Sequence, residues 1–121
     1  MKVEDIKFKA KSILDEAWVQ GDLIHKEDGK IAILRNGFNV SEVDPSTVCQ
    51  FTGQTDSEGN ELYEHDFIKN YPFMPAEIVW SEEVSGYYLK HLNGKIEDKP
   101  LGYYLSLGKF IVVGNKFDKE K

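Results

Sequence analysis

The fold is decided by the stretch Thr47-Val-Cys-Gln-Phe-Thr-Gly-Gln-Thr-Asp-Ser-Glu-Gly-Asn-Glu-Leu-Tyr-Glu-His-Asp-Phe-Ile68. Residues 47–52 are predicted to form a strand, and residues 66–70 resume an extended structure. Between them, Asp56-Ser-Glu-Gly-Asn60 has the residue types that favour a tight turn. The stretch therefore predicts two strands joined by a glycine-containing acidic turn and a short link.

The same alternation of short strands and turns continues on both sides. Turn signals occur at Asp28-Gly29, Asn36-Gly37 and Asn93-Gly94, and short strands recur at intervals of roughly 8–12 residues. This spacing predicts a mainly β, antiparallel protein with little helix. We expect one unit in which a meander (residues 1–50) packs on a small SH3-like, barrel-like half (residues 51–121). The secondary structure of two segments is not decided by the pattern. Residues 9–19 fit a helix or strand-loop-strand, and residues 103–107 fit a strand or a short helical turn.

Composition limits the classes of partner. The 121 residues carry a formal net charge of −6, and Arg35 is the one arginine against fourteen lysines. Proteins that bind phosphate backbones usually cluster Lys and Arg, so the bulk charge disfavours nucleic-acid binding without excluding a local basic face.

The single cysteine, Cys49, excludes an internal disulfide and fits a reducing cytoplasm. No apolar run has the length of a signal peptide or a membrane span, so we expect a cytoplasmic protein with no membrane association.

The central stretch resembles the signature of the YopX family, small proteins encoded by bacteriophages and prophages. The resemblance rests on Cys49-Gln-Phe-Thr-Gly53, on the turn at residues 56–60 and on Leu62-Tyr-Glu-His-Asp-Phe-Ile68. Flanking segments follow in the family's order: Trp18 to Ile24, Ile78-Val-Trp80 and Val113-Gly-Asn115. The resemblance implies a mostly β protein of phage or prophage origin, in a bacterial host cell, with no established activity. The structural motif comprises Gln50, Thr52, Gly53, Gly59, Tyr63, Asp66 and Trp80.

The sequence departs from the family pattern at two places. His65 replaces a common Gly or Asn, and all three residue types tolerate a left-handed backbone better than most, so His65 is interpreted as a turn residue. Ala76-Glu77 stands where a glycine often precedes the Val-Trp strand, so the sequence does not decide whether a local bulge forms there. The order of Asp66, hydrophobic residues, a turn and Ile-Val-Trp is also similar to SH3-like small barrels.

No motif for reaction chemistry is present. Five acids lie within residues 52–66, Asp66 included, but position 65, where a calcium loop needs an acid, is histidine, so a solvated turn is the preferred interpretation. We expect Asp66 to accept backbone hydrogen bonds. The histidines, His25, His65 and His91, lack zinc-ligand spacing, and no phosphate loop or nucleophile elbow occurs. We therefore predict no catalytic residue, no metal site and no cofactor.

Aromatic residues supply the candidate binding surface. Tyr71, Phe73, Tyr87 and Tyr103 are the predicted surface residues, because exposed aromatics are typical of protein interfaces. The leading hypothesis is a non-enzymatic module that binds a partner protein or itself. The alternative is a nucleic-acid-binding small barrel that uses Lys90, Lys95, Lys99 and Lys109 with tyrosine stacking. A metal-dependent hydrolase is the second alternative.

Overall fold

The structure, a computed structural model, describes residues 2–35 and 39–118. The chain divides into two units, Met1–Phe51 and Thr52–Lys121. About half of the described residues are strand and 11% are helix, so the prediction of a mainly antiparallel β protein with little helix is confirmed. The turn predicted at Asn36-Gly37 lies outside the described residues.

The first unit is built from short antiparallel strands. After a 3-10 turn at Val3–Asp5 come β1 (Phe8–Lys11), β2 (Trp18–His25), β3 (Ile31–Leu34) and β4 (Val40–Val43), followed by a second 3-10 turn at Pro45–Thr47 and the beginning of β5 (Cys49–Thr55). The strand order is β4-β3-β2-β1-β5. Residues 9–19 are thus strand-loop-strand rather than helix, because the Ala10 backbone pairs with Val19 across the β1–β2 ladder.

One face of this sheet is the core of the first unit. Ala10, Val19, Ile33 and Val43 are buried there, since side chains two residues apart in a strand share a face. The sheet curls, because Val43 at the end of β4 forms a bridge with Ser12 just after β1. The end of β4, from Ser41 to Val43, precedes the second 3-10 turn.

The second unit contains the end of β5, β6 (Glu61–Tyr63), β7 (Asp66–Lys69), β8 (Ala76–Ser81), β9 (Gly86–His91), β10 (Ile96–Pro100), α1 (Leu101–Leu107) and β11 (Ile111–Asn115). β5 and β6 form a hairpin, and the other strands form a sheet of order β10-β9-β8-β7-β11. The segment around Tyr103, left open between strand and helix, lies in α1.

The core of the second unit lies on one face of its five-stranded sheet. Leu62, Ile68, Ile78, Leu89 and Leu101 are buried together, with Tyr104 and Phe110 packed at the margin. In the described residues this sheet is open, with β10 and β11 at its edges, so the expected barrel-like closure is wrong for this half. The reason is that β11 returns to pair with β7 rather than with β10. No helix in the described ranges is long and apolar enough to cross a membrane.

Candidate functional site: an apolar cleft in the second unit

The central motif is a buried hydrogen-bonded clamp around Asp66. Its side chain is 1% exposed. One carboxylate oxygen, Oδ2, accepts the backbone N–H of Tyr63 at 2.8 Å, and Oδ1 accepts the Asn115 side-chain amide, also at 2.8 Å. The predicted backbone hydrogen bond to Asp66 is therefore present. The second bond, to Asn115, fastens the β6–β7 turn to the end of β11 and involves a residue 49 positions away.

Asp56 forms a second clamp, which corrects the interpretation of the acidic segment as a solvated turn. Its side chain is buried, and Oδ1 accepts the backbone N–H groups of Glu58 and Asn60. The other oxygen, Oδ2, accepts the side-chain amide of Asn60 and the backbone N–H of Val112 in β11. Burial raises the pKa of the Asp56 carboxyl, but the hydrogen bonds from Val112, Asn60 and Glu58 outweigh it, so the pKa is lowered below 3.8. Asp56 therefore holds the turn against β11 as a carboxylate.

Removing the Asp56 carboxylate should destabilise the protein and flatten its response to acid. Because the folded-state pKa is lowered, the stabilisation is complete above the unfolded pKa and is lost as pH falls through the folded one. Asp56→Ala should lower the free energy of unfolding by about 3 kcal/mol at pH 7, and by much less near pH 2. Urea unfolding across this pH range measures both. Asp28→Ala is the matched control, because Asp28 caps an exposed hairpin through a single bond to Lys30. An equal loss at both pH values would contradict the charge argument.

The remaining residues of the predicted structural motif also have structural contacts. Gln50 lies opposite Phe8 in the first sheet, and the hydroxyl of buried Thr52 donates to the Leu62 carbonyl at 2.8 Å. Tyr63 is buried, with its hydroxyl donating to Glu61 at 3.1 Å. The other three members are Gly53 and Gly59, which have left-handed φ values of 84° and 86°, and Trp80, which packs edge-on against Tyr87.

His65 has the left-handed backbone predicted from the sequence, with φ 71°. Its Nδ1 lies 2.7 Å from a carboxylate oxygen of Glu77 in β8, and its ring packs edge-on against Phe117 at 5.4 Å. The backbone N–H of His65 donates to the Ile78 carbonyl at 2.7 Å. These contacts make His65 part of the turn's attachment to the second sheet.

The predicted surface aromatics are placed differently from one another. Tyr71 and Phe73 are 66% and 67% exposed in the β7–β8 connection, and Tyr103 is 45% exposed on α1. Tyr87 is half-buried against the core of the second unit, so its main contribution is packing. The Lys69 ammonium lies 4.2 Å from the centre of the Tyr71 ring. Phe73 lines an apolar cavity in the second unit.

That cavity, which we call the cleft, has a volume of about 270 Å³. It is lined mainly by apolar side chains that come from β7, β8, β9, the β7–β8 connection and the segment between α1 and β11: Ile68, Phe73, Met74, Ala76, Leu89 and Phe110. Phe73 and Met74 also form an exposed rim, at 67% and 68% exposure. An apolar cavity with an apolar rim and a few polar groups is the usual form of a ligand site.

The polar groups of the cleft centre on Glu97 in β10. One carboxylate oxygen lies 2.6 Å from Nε2 of His91, and the other accepts the Tyr104 hydroxyl at 3.0 Å. Hydrogen bonds from His91 and then from Tyr104 hold the pKa of the Glu97 carboxyl below its usual value. Burial, followed by the bond to Glu97, raises the pKa of Tyr104 to about 12. Glu97 is therefore an ionised acceptor with both oxygens engaged, and Asn70 is the other polar residue that lines the cleft.

Sequence reasoning did not find His91, Glu97 or Tyr104 as a group. A signal exists in part, because the predicted Asn93-Gly94 turn makes β9 and β10 a hairpin, which brings His91 near Glu97. Tyr104 carried no such signal, since its position depends on α1 folding back over the sheet.

The lysines of the nucleic-acid alternative are distributed over several elements. Lys90 lies in β9 and Lys95 in the following turn, while the Lys99 ammonium lies 5.9 Å from the centre of the Tyr103 ring. Lys109 precedes β11 and is exposed. For the metal alternative, no group of three or more His, Cys, Asp or Glu side chains that could hold a metal ion occurs in residues 2–35 and 39–118.

The fold and the cleft together define a small, mainly antiparallel β protein of two units with an apolar cavity in the second. Residues 2–120 match the family described as YopX protein. The chain therefore belongs to the YopX family, as the resemblance of the central stretch predicted. No curated protein and no solved structure gives a significant match.

Proposed function

We propose that this protein is a non-enzymatic binding module that recognises another protein through the cleft. The observation that carries the proposal is the apolar lining continued outward by exposed Phe73 and Met74. Exposed aromatic and Met side chains beside a pocket are the composition of interface centres, where a partner's side chain is buried. Family membership supports a role in a bacteriophage or prophage, acting in the cytoplasm of the bacterial host.

The cleft is also the right size for a protein side chain. Sites for drug-sized molecules and cofactors occupy roughly 300–1,000 Å³, and this cavity of about 270 Å³ lies just below that range. One large side chain inserted from a partner would fill it. Because most of the affinity of an interface comes from a few such buried anchors, a cavity of this size is sufficient for specific recognition.

Selection from a random peptide library displayed on the surface of a carrier tests the proposal. Selected peptides should bind the double variant Phe73→Ser/Met74→Ser about thirtyfold more weakly than the wild type, which corresponds to the loss of a strong interface anchor. Leu14→Ser is the control, because Leu14 is a still more exposed apolar residue and lies in the first unit. Peptides that bind both variants equally well would contradict a role for the cleft.

Self-association is the second form of the same proposal, with another copy of the chain as the partner. Light scattering coupled to size-exclusion chromatography distinguishes the two, because a monomer at high concentration would contradict self-association and favour a separate partner protein.

Nucleic-acid binding is the alternative function. Titration of labelled oligonucleotides at increasing salt tests it, since contacts to phosphates weaken steeply as salt rises. A metal-dependent hydrolase has no supporting observation.

A further inference from the structure

The polar end of the cleft limits the chemistry of what can bind. An ionised carboxylate is an acceptor only, so the 2.6 Å contact to Glu97 requires the proton of His91 to be on Nε2. In the neutral imidazole the other nitrogen, Nδ1, is then a hydrogen-bond acceptor. Within the described part of the chain Nδ1 makes no hydrogen bond. Each carboxylate oxygen of Glu97 and the Tyr104 hydroxyl already take part in a hydrogen bond of this group, so among its described contacts Nδ1 of His91 is the acceptor that makes none.

The negative charge of Glu97 also favours a ligand that donates a hydrogen bond. Glu97 carries its negative charge at the cleft wall, and its neighbours His91 and Tyr104 both donate to it. A ligand donor, or the positive edge of an aromatic ring, is therefore attracted to this end, whereas a carboxylate or phosphate is repelled. Apart from Asn70, the rest of the lining is apolar, so a ligand that combines one donor with a large hydrophobic body matches the cleft.

The volume of the cleft favours one aromatic side chain over the others. An engineered apolar cavity of about 150 Å³ binds benzene, which is one six-membered ring. The cleft is larger, at about 270 Å³, and has room for a fused two-ring system. Among the protein side chains, indole is the two-ring system, and its N–H is a donor with no acceptor function.

We propose that the cleft binds the indole of a tryptophan from the partner protein, with its rings against the apolar lining and its N–H donated to His91. This inference rests on the proposed function, and names the anchor residue through which the partner is recognised. Tryptophan is also among the residues most enriched at the energetic centres of interfaces, because it buries a large area at low entropic cost.

Three small amides test the inference with the full chain: N-acetyltryptophanamide, its 1-methylindole analogue, which lacks the N–H, and N-acetylphenylalaninamide. Binding is measured at about pH 9, above the ordinary range of imidazole pKa values, by shifts of backbone amide resonances in the cleft. The tryptophan amide should bind about fivefold more tightly than the methylated analogue, the factor that one net hydrogen bond supplies. The phenylalanine amide should be the weakest, because it leaves part of the cleft unfilled.

His91→Leu should reduce the ratio between the tryptophan amide and its methylated analogue to about one. Glu97→Gln provides a second test should His91→Leu not fold, because a neutral amide no longer fixes the proton on Nε2 and the ratio should again fall. Val84→Ser, an exposed residue outside the cleft, is the control and should keep the ratio. A methylated analogue that binds the wild type as tightly as the tryptophan amide overturns the inference, as does the absence of any shift in the cleft.

These outcomes separate the two proposals. Should the peptides selected for cleft-dependent binding lack tryptophan, the choice of indole is wrong and the protein-binding function stands. Should no selected peptide depend on Phe73 and Met74, the proposed function fails, and shifts induced by the amides would then show a cavity without a role in partner binding.

Discussion

Gly21→Ala is expected to lower the free energy of unfolding by about 4 kcal/mol or more, by combining backbone strain with a steric overlap. Gly21 lies in the middle of β2 with φ 152°, a value that side chains other than hydrogen rarely allow. A Cβ at this position would overlap the Leu34 carbonyl oxygen and lie 2.9 Å from its carbon. Both atoms belong to the backbone of β3, so the β2–β3 ladder would have to separate to relieve the overlap.

Chemical denaturation followed by tryptophan fluorescence measures this loss, with Gly29→Ala as the matched control. Gly29 also has a positive φ, of 86°, but a Cβ there would meet nothing within 4 Å. The control therefore isolates the strain of a left-handed backbone, which costs about 1–2 kcal/mol. Equal losses for the two variants would show that the close approach of Gly21 to Leu34 is not important. Because the affected strands belong to the first unit, we expect the amide resonances of β2 and β3 to be the first to lose dispersion.

Asp66→Ala should be the most harmful change in the second unit, with a loss of about 3–4 kcal/mol in the free energy of unfolding. The substitution removes the acceptor of the buried Tyr63 N–H and that of the buried Asn115 side-chain amide. Each buried group would lose this acceptor, and the loss of an acceptor in a buried site costs more than the net value of the bond.

Urea unfolding at neutral pH measures the effect of Asp66→Ala, and Asp98→Ala in exposed β10 is the control, with an expected change within about 0.5 kcal/mol. The double variant Asp66→Ala/Asn115→Ala adds a sharper test. Because Asn115 contacts Asp66 directly, its removal should cost less in the Asp66→Ala background than in the wild type. Strictly additive losses would contradict the clamp between the β6–β7 turn and β11.

The local features of the fold could be predicted because they depend on neighbouring residues. The Asp28-Gly29 and Asn93-Gly94 hairpins form where the turn chemistry places them, with the N–H of Gly29 and that of Gly94 donating to the carbonyls of Lys26 and His91. The left-handed backbone at His65 was likewise evident from the residue type. These features follow from the φ preferences and hydrogen-bonding groups of a few consecutive residues.

The predictions that differed from the structure concerned long-range pairing. A small barrel-like second half was expected, yet β11 pairs with β7 and leaves an open sheet. Asp56 was interpreted as solvated because a run of acids is usually exposed, but its carboxylate reaches the N–H of Val112, 56 residues later. The hydrophobic pattern does not indicate which distant strands pair or which distant N–H group Asp56 contacts, because the segment around Asp56 has the local composition of an ordinary turn.

By itself, the sequence determined the class of fold, the positions of the described turns and the family, because strand alternation and turn chemistry act over a few residues. Tertiary structure alone decided the clamps at Asp56 and Asp66 and the cleft that contains His91, Glu97 and Tyr104. These features bring together side chains from strands and a helix that are distant along the chain. Their distances therefore depend on how the sheet of the second unit is ordered and on where α1 packs against it.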